Sequence, residues 1–126
     1  MDTVSKGKIG EDLATAHLVS LGYRLLERNA RTKRGEIDIV ARSPDKVLCF
    51  VEVKAALTPQ AGHPASWITP HKVKRLQRAA QAWLALHREP EAQEMRFDAI
   101  AILMYGTPPV ITHLPGAFLP DGSGYF

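Results

Sequence analysis

The sequence predicts an α/β fold, a mixed α+β sheet flanked by helices, with elements in the order α-β-β-β-α-β-β. Three observations carry this. Residues 5–23 and 69–87 repeat their apolar positions at helical spacing. Five short runs read as strands, the clearest of them alternating or rich in β-branched residues. At 126 residues, with 45% hydrophobic and 23% charged residues, the chain has an ordinary globular balance and can bury a core in one domain. Helices interleaved with strands pack as a sheet covered by helices.

"SKGKIGEDLATAHLVSLGY" (5–23) reads as the first helix, with Ile9, Leu13, Ala16 and Leu21 near helical spacing and Ala14 and Leu18 widening the stripe. Gly22 is a natural stop. "YRLLERNAR" (23–31) reads as the first strand, and "RTKRG" (31–35) as a basic turn. "GEIDIVA" (35–41) and "VLCFVEVKA" (47–55) read as strands, joined into a hairpin by "RSPDK" (42–46), whose Ser, Pro and Asp favour turns. Residues 56–68 show no period and hold two prolines. A loop of that length is uncommon in compact domains and is often functional.

"TPHKVKRLQRAAQAWLALH" (69–87) is the clearest helix. Thr69 is a good N-cap and Pro70 suits the first helical position. Val73, Leu76, Ala80, Trp83, Leu84 and His87 form one face, Lys74, Arg75 and Arg78 the opposite one, with Lys72 at the edge. Residues 88–94 form a polar connection. "MRFDAIAILM" (95–104) is a largely apolar strand and "PVITHL" (109–114) a last short one. This gives one domain over residues 1–114 and a Pro/Gly-rich tail over 115–126.

A single cysteine, Cys49, excludes an internal disulfide and a cysteine-rich zinc site, and its apolar setting reads as core. His63 and His71 lack partners at ligand spacing, so they do not read as a zinc site. Trp67 reads as an anchor of the long loop on the core. No run approaches membrane-spanning length and no signal-peptide pattern opens the chain, so the expected location is cytoplasmic. The net charge of +3 is a weak pointer to a polyanionic partner.

The chemistry concentrates in "FVEVK" (50–54) and "GEIDIVA". Charged side chains are costly to bury unless paired or bound to metal. Alternation sets Phe50, Glu52 and Lys54 on one face and Val51 and Val53 on the other. In the preceding strand Glu36, Asp38 and Val40 share a face, against Ile37, Ile39 and Ala41. A three-residue (44–46) or five-residue (43–47) loop puts Asp38 opposite Glu52, whereas a two-residue loop at Pro44–Asp45 sends them to opposite faces. Opposed carboxylates, with β-carbons roughly 5 Å apart, repel each other unless a cation lies between them. Mg²⁺ takes such oxygens, together with water and phosphate. Lys54, about 7 Å from Glu52 along the strand, is placed to orient or deprotonate a water. The combination suits phosphodiester hydrolysis.

Asp38, thirteen intervening residues and then Glu52-Val53-Lys54 resemble the D…(D/E)-x-K signature of the restriction-endonuclease-like superfamily. "KGKIGEDLATAHLVSLGY", "NARTKRGEIDIVA" and "FVEVK" are more closely similar to the YraN-type family of small bacterial proteins, which is itself similar to archaeal Holliday junction resolvases. The resemblance covers roughly residues 6–104. It implies a restriction-endonuclease-like fold and a Mg²⁺ (or Mn²⁺) site. Catalytic residues would be Asp38, Glu52, Lys54 and the first-helix acid Glu11. Asp38, Glu52 and the backbone carbonyl of Val53 would hold the metal. The implied function is metal-dependent endonucleolytic cleavage of DNA, including branched DNA, by a homodimer. The chain departs from the superfamily pattern at Ile37, where a proline often stands, and at Ala55, where a basic or polar residue is expected to contact phosphate.

Other readings stand beside this one. The three strand residues also suit a cross-strand ion-pair cluster, and Glu11 a first-turn acid facing the helix dipole. Glu36 reads either as an exposed strand acid or as a support behind Asp38. Arg31, Lys33 and Arg34, with Lys72, Lys74, Arg75 and Arg78, read as phosphate contacts, or else as a solvated face. The alternative functions are a catalytically silent nucleic-acid-binding module on the same scaffold, or a protein-interaction domain using the apolar tail.

Overall fold

The computed structural model describes residues 3–62, 64–87 and 94–118. Helix α1 spans Thr3–Ser20 and α2 spans Pro70–His87; the strands are β1 (Arg24–Thr32), β2 (Gly35–Arg42), β3 (Leu48–Ala56), β4 (Met95–Leu103) and β5 (Val110–Phe118). The five strands lie in sequence order in one sheet. All neighbours are antiparallel except β3 and β4, which run parallel. A parallel pair needs a crossover, and α2 lies in it. The order α-β-β-β-α-β-β is the one the sequence predicts. Among the described residues no helix is long and apolar enough to cross a membrane.

The central strand divides the core by parity. Cys49, Val51 and Ala55 pack with Ala14 and Leu18 of α1 and with Ile39, Ala41, Ile100 and Ile102. Leu48 and Phe50 pack with Val73, Leu76 and Trp83 of α2 and with Val40 and Phe97. Burial, with the nearby Asp98 charge, pushes the Cys49 thiol up to about 12, as befits a core residue. Thr69 caps α2 as expected, its Oγ1 accepting from the Lys72 N–H at 3.2 Å. At the other end of α2, Trp83 Nε1 donates to Glu27 Oε1 of β1 at 3.0 Å, and the His87 ring stacks on the indole at 4.1 Å.

The α1 stripe differs from the hydropathy pattern. Gly10, Ala14 and Leu18 are the buried positions, while Ile9, Ala16 and Leu21 are exposed. Small residues let the helix lie close to the sheet. A β-carbon on Gly10 would come within 3.0 Å of Ala55 Cβ. Ala55 is therefore part of the α1 contact, which accounts for its standing where the superfamily pattern expects a basic or polar residue.

β5 also corrects the tail boundary. It continues through Phe118, with Ala117 buried and the Gly116 N–H donating to Asp98 Oδ1 at 2.9 Å. The connection over 88–93, His63 and tail residues 119–126 lie outside the described residues. The long loop contains two short 3-10 turns, Pro59–Ala61 and Pro64–Trp67.

Two glycines of α1 test this packing. Gly10→Val should lower stability by about 1–3 kcal/mol through overpacking against Ala55. A β-carbon on Gly7 would meet nothing within 4 Å, so Gly7→Ala should raise stability by about 0.5–1 kcal/mol. Urea unfolding of both variants checks the pair of signs.

Candidate functional site

The site forms where β2 and β3 stop pairing. Their ladder runs from Arg42↔Leu48 to Ile39↔Val51, the register of the five-residue loop, which would bring Asp38 level with Glu52. It ends there. Alternation in β2 breaks at the same point, since Ile37 is buried with the α2-side core and Ile39 with the α1-side core. This corrects the expected face of Ile37. Asp38 is the hinge residue, and its Oδ2 accepts the Val53 N–H at 2.8 Å. A side chain thus terminates a ladder that backbone would otherwise continue.

The partner strand bends at the same level. Asn29 falls between the pairs Arg28↔Ile39 and Ala30↔Ile37, and has a left-handed φ of 51°. Asparagine is one of the few residues that adopts this region readily. Its side chain is near enough to Glu11 to lower that acid's pKa, which relates the bend to α1. The close approach of α1 at Gly10 brings the next residue, Glu11, to the fork. Arg28 fixes it there, with Nη2 at 2.7 Å from Asp12 Oδ1 and 3.6 Å from Glu11 Oε1.

Asp38 is opposed by Glu52, and Glu11 by Asp38. Burial and the Glu52 charge push Asp38 up from 3.8 to about 6, against the pull of the Val53 amide. Burial raises Glu52, with Arg75, Lys72 and Lys54 opposing. Burial and the Asp38 charge raise Glu11, with Arg28 and Asn29 opposing. Glu11 Oε1 is buried without a hydrogen-bond partner among the described residues. Lys54 is exposed. Among the described residues, no three His, Cys, Asp or Glu side chains stand close enough to share one ion.

The basic residues fall into one region. The β1–β2 hairpin lies against α2, where a β-carbon on Gly35 would be 3.7 Å from Ala79 Cβ and from Arg75 Cγ. Exposed Lys33 and Arg34 at its tip thus neighbour the α2 cations. Arg75 does not simply face solvent, because its Nη2 reaches to 3.6 Å from Glu52 Oε1. Lys74 and Arg78 are exposed, and Lys72 is half-buried beside Glu52. Arg31 pairs with Glu36 at 3.7 Å, both well exposed; the Glu36 charge also lifts Asp38. Trp67 is half-buried and lines a cleft next to Glu52 and Lys54.

A second polar cluster, which the sequence pattern hides inside an apolar strand, lies on the α1 side. Asp98 is fully buried. It accepts from Arg96 Nε at 2.8 Å, from His113 Nε2 at 2.9 Å and from the Gly116 amide. Burial alone would raise it, but these three donors hold it below the usual carboxylate range. Arg96 also donates to the Tyr23 hydroxyl at 2.7 Å. The cluster ties β5 and the connection between α1 and β1 to β4. Its signal was the Arg-x-Asp pair in "MRFDAIAILM".

The profile of the uncharacterised protein family UPF0102 matches residues 10–102. The chain belongs to this family. A UPF0102 protein of Trichlorobacter lovleyi is 42% identical over 113 residues, which cover 89% of this chain and 88% of that one. One from Mycobacterium sp. (strain KMS) is 46% identical over 112 residues, 87% and 82% of the two chains. One from Geobacter metallireducens is 44% identical over 114 residues, 90% and 92%. Among solved structures, Pyrococcus furiosus SfsA in complex with Ca²⁺ is a distant likeness, with a TM-score of 0.40 and 17% identity, covering 90% of this chain and 64% of that one. The matched UPF0102 region contains Glu11, Asp38, Glu52, Val53 and Lys54 and stops before β5.

The raised Asp38 makes a signed prediction. Between pH 3.8 and about 6 the folded protein keeps a proton that the unfolded chain has lost. The stability this lends is full below the lower value and is lost as pH rises through the upper one. Ionised Asp38 should then cost about 3 kcal/mol at neutral pH in chelator. Asp38→Asn should therefore be more stable than wild type by about 1–3 kcal/mol at neutral pH, the gap closing by about pH 4. Denaturant titrations at the two pH values decide it; a gap that does not change with pH would refute the electrostatic account.

Proposed function

We propose that this UPF0102 protein is a metal-dependent DNA endonuclease, acting on phosphodiester bonds of DNA that includes branched forms. The observation that carries the reading is the self-repelling acid pair at the strand fork, Asp38 with Glu52, next to Lys54 and a basic surface. Such an arrangement costs stability unless a cation offsets it.

The donor set fits a hard divalent cation. It is all oxygen, one Asp38 oxygen being bound to the Val53 amide. Mg²⁺ commonly binds through one or two carboxylates with water and phosphate completing its shell, so a three-acid cage is unnecessary. Asp38 and Glu52 would hold the ion, with the Val53 carbonyl as a further ligand. Glu11, whose Oε1 is buried without a hydrogen-bond partner among the described residues, would set the charge behind Asp38. A cation there supplies water activation and neutralises phosphate charge.

The remaining work falls to the chain. Arg75, Lys72 and the hairpin cations Lys33 and Arg34 hold the DNA backbone. Lys54 orients the water for in-line attack on phosphorus and stabilises the charge that develops. One P–O ester bond breaks, the water oxygen stays on phosphorus and the departing oxygen leaves as a hydroxyl. Phosphate contacts of this kind fix position without reading sequence.

A second reading rests on a specific contact. Arg75 already stands beside Glu52, as in a structural ion-pair cluster, which favours a binding module without turnover. One experiment separates the two. Labelled linear duplex, single-stranded and four-way-junction DNA are incubated with Mg²⁺, Mn²⁺ or chelator. The nuclease reading expects cleavage only with metal, abolished by Asp38→Ala and reduced by about 10²–10³-fold in Lys54→Ala. Salt-sensitive binding by wild type and Asp38→Ala alike, with no cleavage by either, would establish the binding module instead.

A further inference from the structure

The cleft beside the acids is not explained by phosphate chemistry. It is a small cleft, open to solvent, with a mostly apolar lining. Its floor is a consequence of sequence. Parallel pairing sets Ala99 of β4 beside Glu52 and Ala101 beside Lys54. Two methyl groups stand where larger side chains would fill the face next to the strand residues of the site. Leu114, paired with Ala99 from β5, continues the apolar floor. The walls are Trp67 from the long loop and Leu76 of α2, and among the described residues the charges on the lining are Glu52, Lys54 and Lys72.

We propose that this cleft receives one unpaired nucleobase of the DNA strand whose phosphate lies at Lys54 and Lys72, so that the protein selects DNA with an unstacked base next to the bound phosphate. The inference rests on the nucleic-acid reading of the site and names its substrate class. An apolar slot walled by an indole suits the flat face of a base, which stacks on aromatic side chains without regard to sequence. The charges favour this occupant over an apolar peptide or a lipid chain. Two lysines stand at the slot, in reach of the phosphate that any nucleotide carries with its base. A base in a paired duplex is held in its stack, and leaving it costs free energy. That cost is smallest where DNA is mismatched, single-stranded or branched. The slot would therefore turn a sequence-blind phosphate grip into a preference for distorted DNA.

The test measures binding in chelator, so it does not depend on cleavage. Fluorescence anisotropy gives Kd for a fully paired duplex and for the same duplex with one unpaired adenine bulged out. Wild type is compared with Trp67→Ala and with Ala101→Leu, which fills the slot from the floor; thermal melts establish that each variant is folded. The expected result is tighter binding of the bulged DNA by wild type. Both variants should lose about tenfold or more on the bulged DNA and less than about twofold on the paired duplex. Replacing the bulged adenine by an abasic residue should reproduce the loss with wild-type protein. Equal affinity of wild type for both DNAs, or equal losses on both, overturns the slot while leaving phosphate binding intact. Absence of salt-sensitive binding to either DNA overturns the nucleic-acid reading and the slot with it. Saturable binding of a peptide or lipid probe that Ala101→Leu removes, with no bulge preference, assigns the cleft to another partner and overturns the proposal.

Discussion

The hydrogen bond from the Val53 amide to the Asp38 carboxylate closes the end of a β-ladder with a side chain, and the geometry of the site follows from it. Beyond Ile39↔Val51 the two strands separate. An amide left there would lack a partner in a half-buried place, which costs about 1–3 kcal/mol. Asp38 supplies the acceptor, but only by entering the gap, where burial and Glu52 oppose its charge. The fork is therefore a compromise between a satisfied amide and a strained carboxylate. A cation would relieve the second without disturbing the first.

The surrounding fold brings each further group to that point by a separate device. Gly10 and Ala55 let α1 lie close enough for Glu11 to face the fork. Asn29, in its left-handed conformation, bends β1 in step with β2. The parallel β3–β4 pair puts α2 across the sheet, so Lys72 and Arg75 approach Glu52 from above. The same pairing places Ala99 and Ala101 beside Glu52 and Lys54 and opens the cleft. At the far side of β4, Asp98 gathers Arg96, His113 and the Gly116 amide and so fixes the edge strand. Asp38 and Asp98 both accept a neighbouring strand's amide. They differ in their other partners, since Asp98 has the Arg96 guanidinium at hydrogen-bond distance and Asp38 faces acids.

Much of this was legible in the sequence, and the misses have physical causes. The element order followed from hydrophobic period, and Thr69 and Pro70 marked the start of α2 correctly. Loop parity left two registers of β2 on β3 open, and the structure takes the one of the odd-length loop. The α1 face followed only in part: Ala14 and Leu18 are buried as expected, but hydropathy favours Ile9 and Leu21, whereas close packing selects Gly10. The alternation of "GEIDIVA" looked unbroken, and nothing within it marks the turn of the chain at Asp38; the one clue was Asn29 on the partner strand. Arg75 sat opposite the apolar face on a helical projection, yet a long side chain leaving a helix edge can still reach the sheet. The Asp98 cluster was hidden because two polar residues among eight apolar ones leave the strand pattern intact. Trp67 was expected as a core anchor and instead lines a cleft, because the residues beneath it on β4 are alanines.

The central claim is that the fork between β2 and β3 is a divalent-cation site. Mn²⁺ added in substoichiometric amounts broadens the amide resonances of nearby residues, and a ¹H–¹⁵N spectrum reads them individually. The account predicts that Asp38, Glu52, Val53 and Lys54 lose intensity first and that excess Mg²⁺ restores them. Broadening centred on other acids, such as Asp12 or Asp45, or spread evenly over the surface, would contradict it.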